Sequence, residues 1–228
     1  MRKALLRSAV VLLATLHTAA AQSVPANAPY RDARLPVDAR VRDLVARMTP
    51  DEKFWQLYLS PGDRDNPAHD YSHGAFGLQI TLGSSPIPNG TSAARYHTSR
   101  INAIQHYFVD STRLGIPVLP VEEAVHGLAR EGATTFPQAI ALAATWDTAM
   151  MSRVSRAIAA EARSRGVRDV LSPVINIAND VRWGRVEETY GEDPFLTSLM
   201  GRSFVEAFER IGIVTTPKHF IECWRRRS

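Results

Sequence analysis

Residues 147–180 read DTAMMSRVSRAIAAEARSRGVRDVLSPVINIAND, and the order of signals within them decides the fold. Val154, Ile158 and Ala162 recur at helical spacing over residues 147–165, and Gly166 stops that helix. Residues 170–177 are then apolar and strand-like, and a polar cluster of Asn176, Asn179 and Asp180 stands at their end. The same order precedes this stretch. A helix over about 92–113 carries Ile101, Ile104 and Phe108, Gly115 ends it, and a strand over 116–121 leads into Glu122, Glu123 and His126. It also follows it. Asp193 caps a helix opened by Pro194 with Leu196, Leu199, Val205 and Phe208 inside, Gly212 ends it, and a strand over 213–216 runs into Lys218 and His219. Helix, glycine, apolar strand and polar loop thus recur three times, the pattern of a parallel α/β sheet.

Further toward the start, Val41, Leu44, Val45 and Met48 give helical spacing, and Thr49-Pro50-Asp51-Glu52 forms a capping box for a second helix. Phe54, Leu57 and Tyr58 are the expected buried face of that helix, and Trp55 and Trp146 are expected in the core. Residues 60–73 are turn-rich, 76–80 look like a short strand, and 83–92 form a Gly/Ser/Pro loop.

With 45% hydrophobic and 22% charged residues in 228, the chain has the composition of a globular protein. Its formal charge of +4 belongs to its ends: Arg2, Lys3 and Arg7 at one, Arg225, Arg226 and Arg227 at the other. Without residues 1–21 and 221–228, Lys+Arg falls from 27 to 21 and Asp+Glu from 23 to 22, which excludes a nucleic-acid partner. Residues 1–21 have a basic start, a short apolar run and Ala19-Ala20-Ala21 before Gln22, the pattern of a secretory signal in a bacterial periplasmic or secreted protein. That apolar run is too short to span a bilayer, so no membrane span is expected once the signal is removed. Residues 22–37 read as an extended lead-in. The single Cys223 forms no internal disulfide, and His69, Asp70 and His73 lack the further ligands that a metal would need.

Every strand in the repeat empties into a polar cluster at its C-terminal end, where a (β/α)₈ barrel builds its active site. No phosphate-cradling glycine loop accompanies them. Arg, Lys, His, Glu and Asn beside Trp183 suit a neutral polyol, whose hydroxyls take hydrogen bonds and whose ring face takes an aromatic side chain.

At these positions the motifs resemble a family. Glu123-Ala124 followed by His126-Gly127, Gly132-Ala133-Thr134-Thr135-Phe136-Pro137-Gln138, RWGRVEETYGEDP over 182–194, and Thr216-Pro217-Lys218-His219-Phe220 closely resemble, in order and spacing, the N-terminal domain of glycoside hydrolase family 3. The resemblance covers roughly residues 35–220. It implies the N-terminal part of a (β/α)₈ TIM-like barrel, incomplete, over 38–220, and a retaining β-glucosidase or β-xylosidase acting on β-linked oligosaccharides or aryl or alkyl glycosides, with no cofactor. Carried over residue by residue, it places Glu123, Arg185, Lys218 and His219 on the glycone. Glu123 stands where many family glucosidases have Asp, which resembles the xylosidase branch.

His126, Arg182, Glu187 and Asp193 are expected to support the site structurally, Arg182 and Glu187 by a salt bridge within their loop. The family's nucleophile is an Asp that usually follows Ser, and no Ser-Asp dipeptide occurs in this sequence. Both catalytic carboxyl groups are therefore expected beyond Ser228. Residues 221–228 carry no apolar period and read as a shifted frame or a truncated gene. The expectation is a truncated, inactive fragment that self-associates through an open sheet edge. The alternative is a non-catalytic carbohydrate-binding remnant or a half-barrel that needs a partner chain.

Overall fold

The computed structural model describes residues 24–62, 64, 70–80 and 87–220. The expectations placed on residues 1–21, on His69 and on residues 221–228 lie outside them. Five strands form one sheet in chain order: β1 (Leu59–Pro61), β2 (Gly77–Gln79), β3 (Leu119–Glu122), β4 (Asp169–Val170) and β5 (Val214–Thr215). Every neighbouring pair is parallel. Parallel neighbours need a crossover, and helices supply it from β2 onward: α3 (Ala93–His106) before β3, α5 (Thr148–Ser164) before β4 and α6 (Pro194–Glu209) before β5. This is an incomplete arc of a (β/α) barrel wall, with all strand C-termini on one side.

Local chemistry starts and stops these helices where the sequence signals stand. Ser92, Asp147 and Asp193 each cap their helix by accepting a backbone N–H from its first turn. Gly166 and Gly212 leave α5 and α6 at positive φ, 92° and 74°, where a side chain would be strained. Ile158 and Ala162 of α5 are buried, as are Ile101, Ile104 and Phe108 around α3. On α6 the inward stripe is Leu196, Met200, Phe204 and Phe208, and Leu199 and Val205 stand outside it. The rings of Phe204 and Phe208, one turn apart, stack at 4.5 Å between centroids and pack α6 into the core.

The departures from the sequence reading have physical causes. The expected strand over 170–177 pairs regularly only at Asp169–Val170, because Pro173 has no N–H to give a ladder; pairing resumes at the single bridge between Val174 and Lys218. β1 was hidden by Ser60, Pro61 and Gly62, whose turn-like composition is tolerated at a sheet edge. α4 (Ala139–Ala143) carried no sequence signal and buries Ala139, Leu142 and Ala143. Trp146 just after it is two-thirds exposed at φ 56°, since it sits in the turn that delivers Asp147 to its capping position. Trp55 is half-buried, so neither tryptophan is a core residue.

Near the start, the capping box at Thr49 and Glu52 forms, but α2 (Pro50–Trp55) is only six residues long. Its buried residue is Glu52, which holds Arg113 beyond α3 through Nε at 2.9 Å, while Arg113 Nη2 donates to the carbonyl of Arg47 at the end of α1 (Val37–Arg47) at 2.8 Å. Phe54, Leu57 and Tyr58 are exposed, and the rings of Phe54 and Tyr58 meet at a tilt, 4.7 Å between centroids, with Trp55 edge-on to both. α1 buries no residue, so its apolar spacing at Val41 and Val45 faces outward. The segment expected as an extended lead-in packs instead. Pro29–Arg31 form a 3₁₀ turn, Tyr30 is buried, and its Oη donates to the Leu114 carbonyl at 2.5 Å.

Candidate functional site

Parallel pairing carries the ends of β3, β4 and β5 to one place. Successive residues of a strand face opposite sides, and β3 uses this at Glu122 and Glu123. Glu122 points into the protein, fully buried, where it accepts from Arg130 Nε at 2.7 Å and from Arg130 Nη2, with His97 Nε2 at 3.2 Å. Such a buried carboxylate persists only when paired. It ties the loop after β3 back to the strand. Glu123 faces the other way and takes Lys218 Nζ at 2.8 Å, with Ser172 Oγ at 3.5 Å from its second oxygen. Ser172, fully buried, also accepts the Ala124 N–H at 3.2 Å and so fixes the backbone beside Glu123.

The β4–β5 pairing extends past its strands into the site. Lys218 N donates to Pro173 O at 3.0 Å and Ile175 N to Lys218 O at 2.8 Å. This register sets Asn176 opposite His219. Asn176 Oδ1 accepts the His219 backbone N–H at 3.0 Å and lies 2.8 Å from the ring Nδ1. On the other side of the ring, Arg185 Nη1 lies 3.0 Å from His219 Nε2. Arg185 also makes a two-pronged pair with Glu188, at 2.6 and 2.7 Å. The Arg185 guanidinium holds the Glu188 carboxyl below its ordinary value, partly against the effect of burial.

Glu123, Arg185, Lys218 and His219 therefore converge. The two ion pairs, Glu123–Lys218 and Glu188–Arg185, meet through His219. A cleft of about 300 Å³ opens beside them, lined by Glu123, His126, Gly127, Gln138, Glu187 and Glu188. Gly127 has φ 140°, and a Cβ there would meet the Thr134 carbonyl oxygen at 2.3 Å, so the loop closes that tightly only with glycine. His126 holds the same turn: its Nδ1 lies 3.0 Å from Phe136 O, and the Phe136 N–H donates to His126 O at 2.7 Å.

Of the other residues expected in support, Asp193 is the cap of α6, accepting from Phe195 N and Leu196 N. Arg182 does not pair with Glu187. Its guanidinium binds Asp180, at 2.9 and 2.6 Å, because Asp180 also accepts the Arg182 N–H and turns the chain back over itself. The Asp180 carboxyl is held at about 2 by that arginine. Glu187 is left exposed on the cleft wall.

Two residues at the site escaped the sequence reading as individuals, Asn176 and Ser172. Asn176 stood out only as one polar residue among several, and nothing in the sequence pairs it with a residue 43 positions on. Ser172 gave no signal at all. One carboxyl is shifted the other way, Asp169, whose value is raised because burial outweighs the hydrogen bond from Thr216. It begins β4, at the strand end away from the cleft, and takes no part in the site.

No helix among the described residues is long and apolar enough to cross a membrane, and no cluster of metal-ligating side chains occurs among them.

Comparison with known proteins places this arrangement. The model of the "Glycosyl hydrolase family 3 N terminal domain" matches residues 49–223. A "Periplasmic beta-glucosidase" of Salmonella typhimurium is 32% identical over 192 residues, covering 80% of this chain and 23% of the relative. A "Beta-xylosidase" of Formosa agariphila is 41% identical over 123 residues, covering 48% of this chain and 17% of the relative. Among solved structures, a β-glucosidase from Erythrobacter marinus superposes with a TM-score of 0.72 at 33% identity, over 86% of this chain and 27% of its own. The chain thus spans about a quarter or less of the length of the curated relatives named here.

The Glu188–Arg185 pair makes the site sensitive to acid. The folded-state value of Glu188 lies below its ordinary 4.5, so its stabilisation is complete above that value and vanishes as pH falls through the lower folded one. In urea melts between pH 6 and pH 3, Glu188→Gln is expected to lose less stability than the native chain over that acid limb. Parallel losses in both proteins would contradict the pairing.

Proposed function

The chain belongs to glycosyl hydrolase family 3, and from that membership we propose that it is the sugar-holding part of a β-glycosidase of the β-glucosidase or β-xylosidase kind. The observation that carries this reading is the convergence of Glu123, Lys218, His219 and Arg185 at the strand C-termini, beside an open cleft. Lys218 is a donor only and Glu123 an acceptor only, a combination that grips neighbouring hydroxyls from both sides. Charged groups bind such hydroxyls more strongly than neutral ones would.

The carboxylates here suit holding rather than breaking. A retaining hydrolase needs a nucleophilic carboxylate and a second carboxyl group that carries a proton to the leaving oxygen, roughly 5–5.5 Å apart. Glu123 and Glu188 each sit against a cation, and the Arg185 guanidinium holds Glu188 ionised rather than ready to give a proton. We therefore assign bond cleavage to carboxyl groups outside the described residues, and read this chain by itself as binding without turnover.

Glu123, with one more methylene than Asp, narrows the space for a hydroxymethyl group, and so the preferred sugar is proposed to be xylose-like. The 41% identical relative named a β-xylosidase is consistent with that reading. Export through residues 1–21 is proposed for the same protein, in keeping with the relative described as periplasmic. Association of copies through the bare strands β1 and β5 is proposed as well, since Val214 of β5 is half-exposed with no strand beyond it among the described residues.

Each of these readings has a measurement. Saturation-transfer NMR with methyl β-xyloside and methyl β-glucoside is expected to show binding that favours the xyloside. Lys218→Met is expected to weaken it roughly tenfold or more, the worth of a charged hydrogen bond. p-Nitrophenyl β-xyloside should remain uncleaved; turnover that disappears in Lys218→Met would instead make this chain an enzyme, and a glucoside preference would remove the xylose reading. N-terminal sequencing of protein recovered from the periplasm or medium should start at Gln22. Sedimentation velocity should give species larger than one chain, shifting with concentration, whereas a single monomer at all concentrations would exclude association through the edges.

A further inference from the structure

We propose that Asn176 is a positioning residue that fixes the proton of His219 on Nδ1 and so presents Nε2 as a hydrogen-bond acceptor at the sugar site. The argument runs through atoms whose roles cannot change. The His219 backbone N–H is always a donor, and it meets Asn176 Oδ1 at 3.0 Å. That contact orients the Asn176 amide, because its nitrogen could not accept the bond. The same Oδ1 lies 2.8 Å from ring Nδ1, so Nδ1 must carry the proton that bridges them. A carbonyl oxygen has two lone pairs, and here each is used.

The opposite edge of the ring gives an independent check. An arginine N–H donates and never accepts, and Arg185 Nη1 stands 3.0 Å from His219 Nε2. Nε2 must therefore be bare. Were it protonated, two donors would face each other across 3.0 Å next to a guanidinium charge. The two edges of the ring thus demand the same tautomer, one through Asn176 and the other through Arg185.

This matters for what the site recognises. Lys218 and His219 are consecutive, and with this tautomer they offer unlike atoms: Lys218 gives a proton, while His219 Nε2 takes one. A sugar hydroxyl that meets Nε2 must donate to it, competing with or bridging to Arg185. The pair is thereby matched to two hydroxyls used in opposite senses, a demand that a Nδ1-bare ring would reverse. Asn176 reaches His219 because the β4–β5 register continues through Val174 and Lys218, which places the two side chains side by side.

The inference rests on the reading of Lys218 and His219 as sugar contacts, but its test needs no sugar, so its failure is distinguishable from a failure to bind glycosides. In the full chain labelled with ¹⁵N-histidine, long-range ¹H–¹⁵N spectra report which ring nitrogen is protonated. The native protein should show His219 with Nδ1 protonated and Nε2 bare. Because Arg185 faces the other nitrogen and favours the same tautomer, the variants are compared in an Arg185→Met background: Arg185→Met alone should keep Nδ1 protonated, whereas Asn176→Ala combined with Arg185→Met should give averaged nitrogen shifts, and exchange of the His219 amide should quicken roughly tenfold, as for one lost hydrogen bond. Asn176→Asp keeps both lone pairs in place and should restore Nδ1–H and the slow amide. A merely structural role for Asn176 would leave the ring protonation unmoved in a folded variant carrying both Asn176→Ala and Arg185→Met, and that result overturns the proposal. So does a native spectrum with Nε2–H, which decides the matter even if the alanine variant fails to fold.

Discussion

Parallel strand pairing is the constraint on which the rest of this molecule depends. Strands that all point one way can be joined only by crossovers, and the crossovers here are the helices whose buried faces make the core. The same direction brings every strand C-terminus to one rim. Glu123, Asn176, Lys218 and His219 come from three strand ends far apart in sequence, yet each needs no more than its place after its strand to reach the others. The extra bridge between Val174 and Lys218 extends this alignment one step beyond the regular ladder, and that step sets Asn176 against His219.

The two-residue period of a strand then divides the work at Glu122 and Glu123. The first is buried with Arg130 and anchors a loop; the second faces the cleft with Lys218. A shift of one residue in β3 would bring Val121 or Ala124 into one of the two places and leave its basic partner without a carboxylate, so the register is fixed by electrostatics as well as by packing. A buried charge without its partner costs several kcal/mol, more than a hydrophobic contact of similar size gives.

Charge at the site is organised as a chain with a carboxylate at each end. Glu123, Lys218, His219, Arg185 and Glu188 follow one another, with His219 adjoining both cations through sequence or contact. Such an array gives each carboxylate a cationic partner, which suits the recognition of hydroxyls. It accounts for how several acidic residues crowd the cleft while the one at Glu188 is held ionised rather than poised as an acid.

The sequence by itself determined the class of fold and the three helical crossovers with the cap at Asp193, and its resemblance to a family named the four residues that would converge. The elements are legible because capping, helix-stopping glycines and apolar period are local. Tertiary structure decided the rest. Val41 and Val45 have the right spacing for burial but face outward among the described residues, since a periodic pattern states only that a helix has an apolar face, not what covers it. Asp180 rather than Glu187 takes Arg182 because a turn, not a spacing, sets which carboxylate arrives first. And only the register between distant strands could show that Asn176 holds His219, because partners 43 residues apart are joined by geometry that no local signal records.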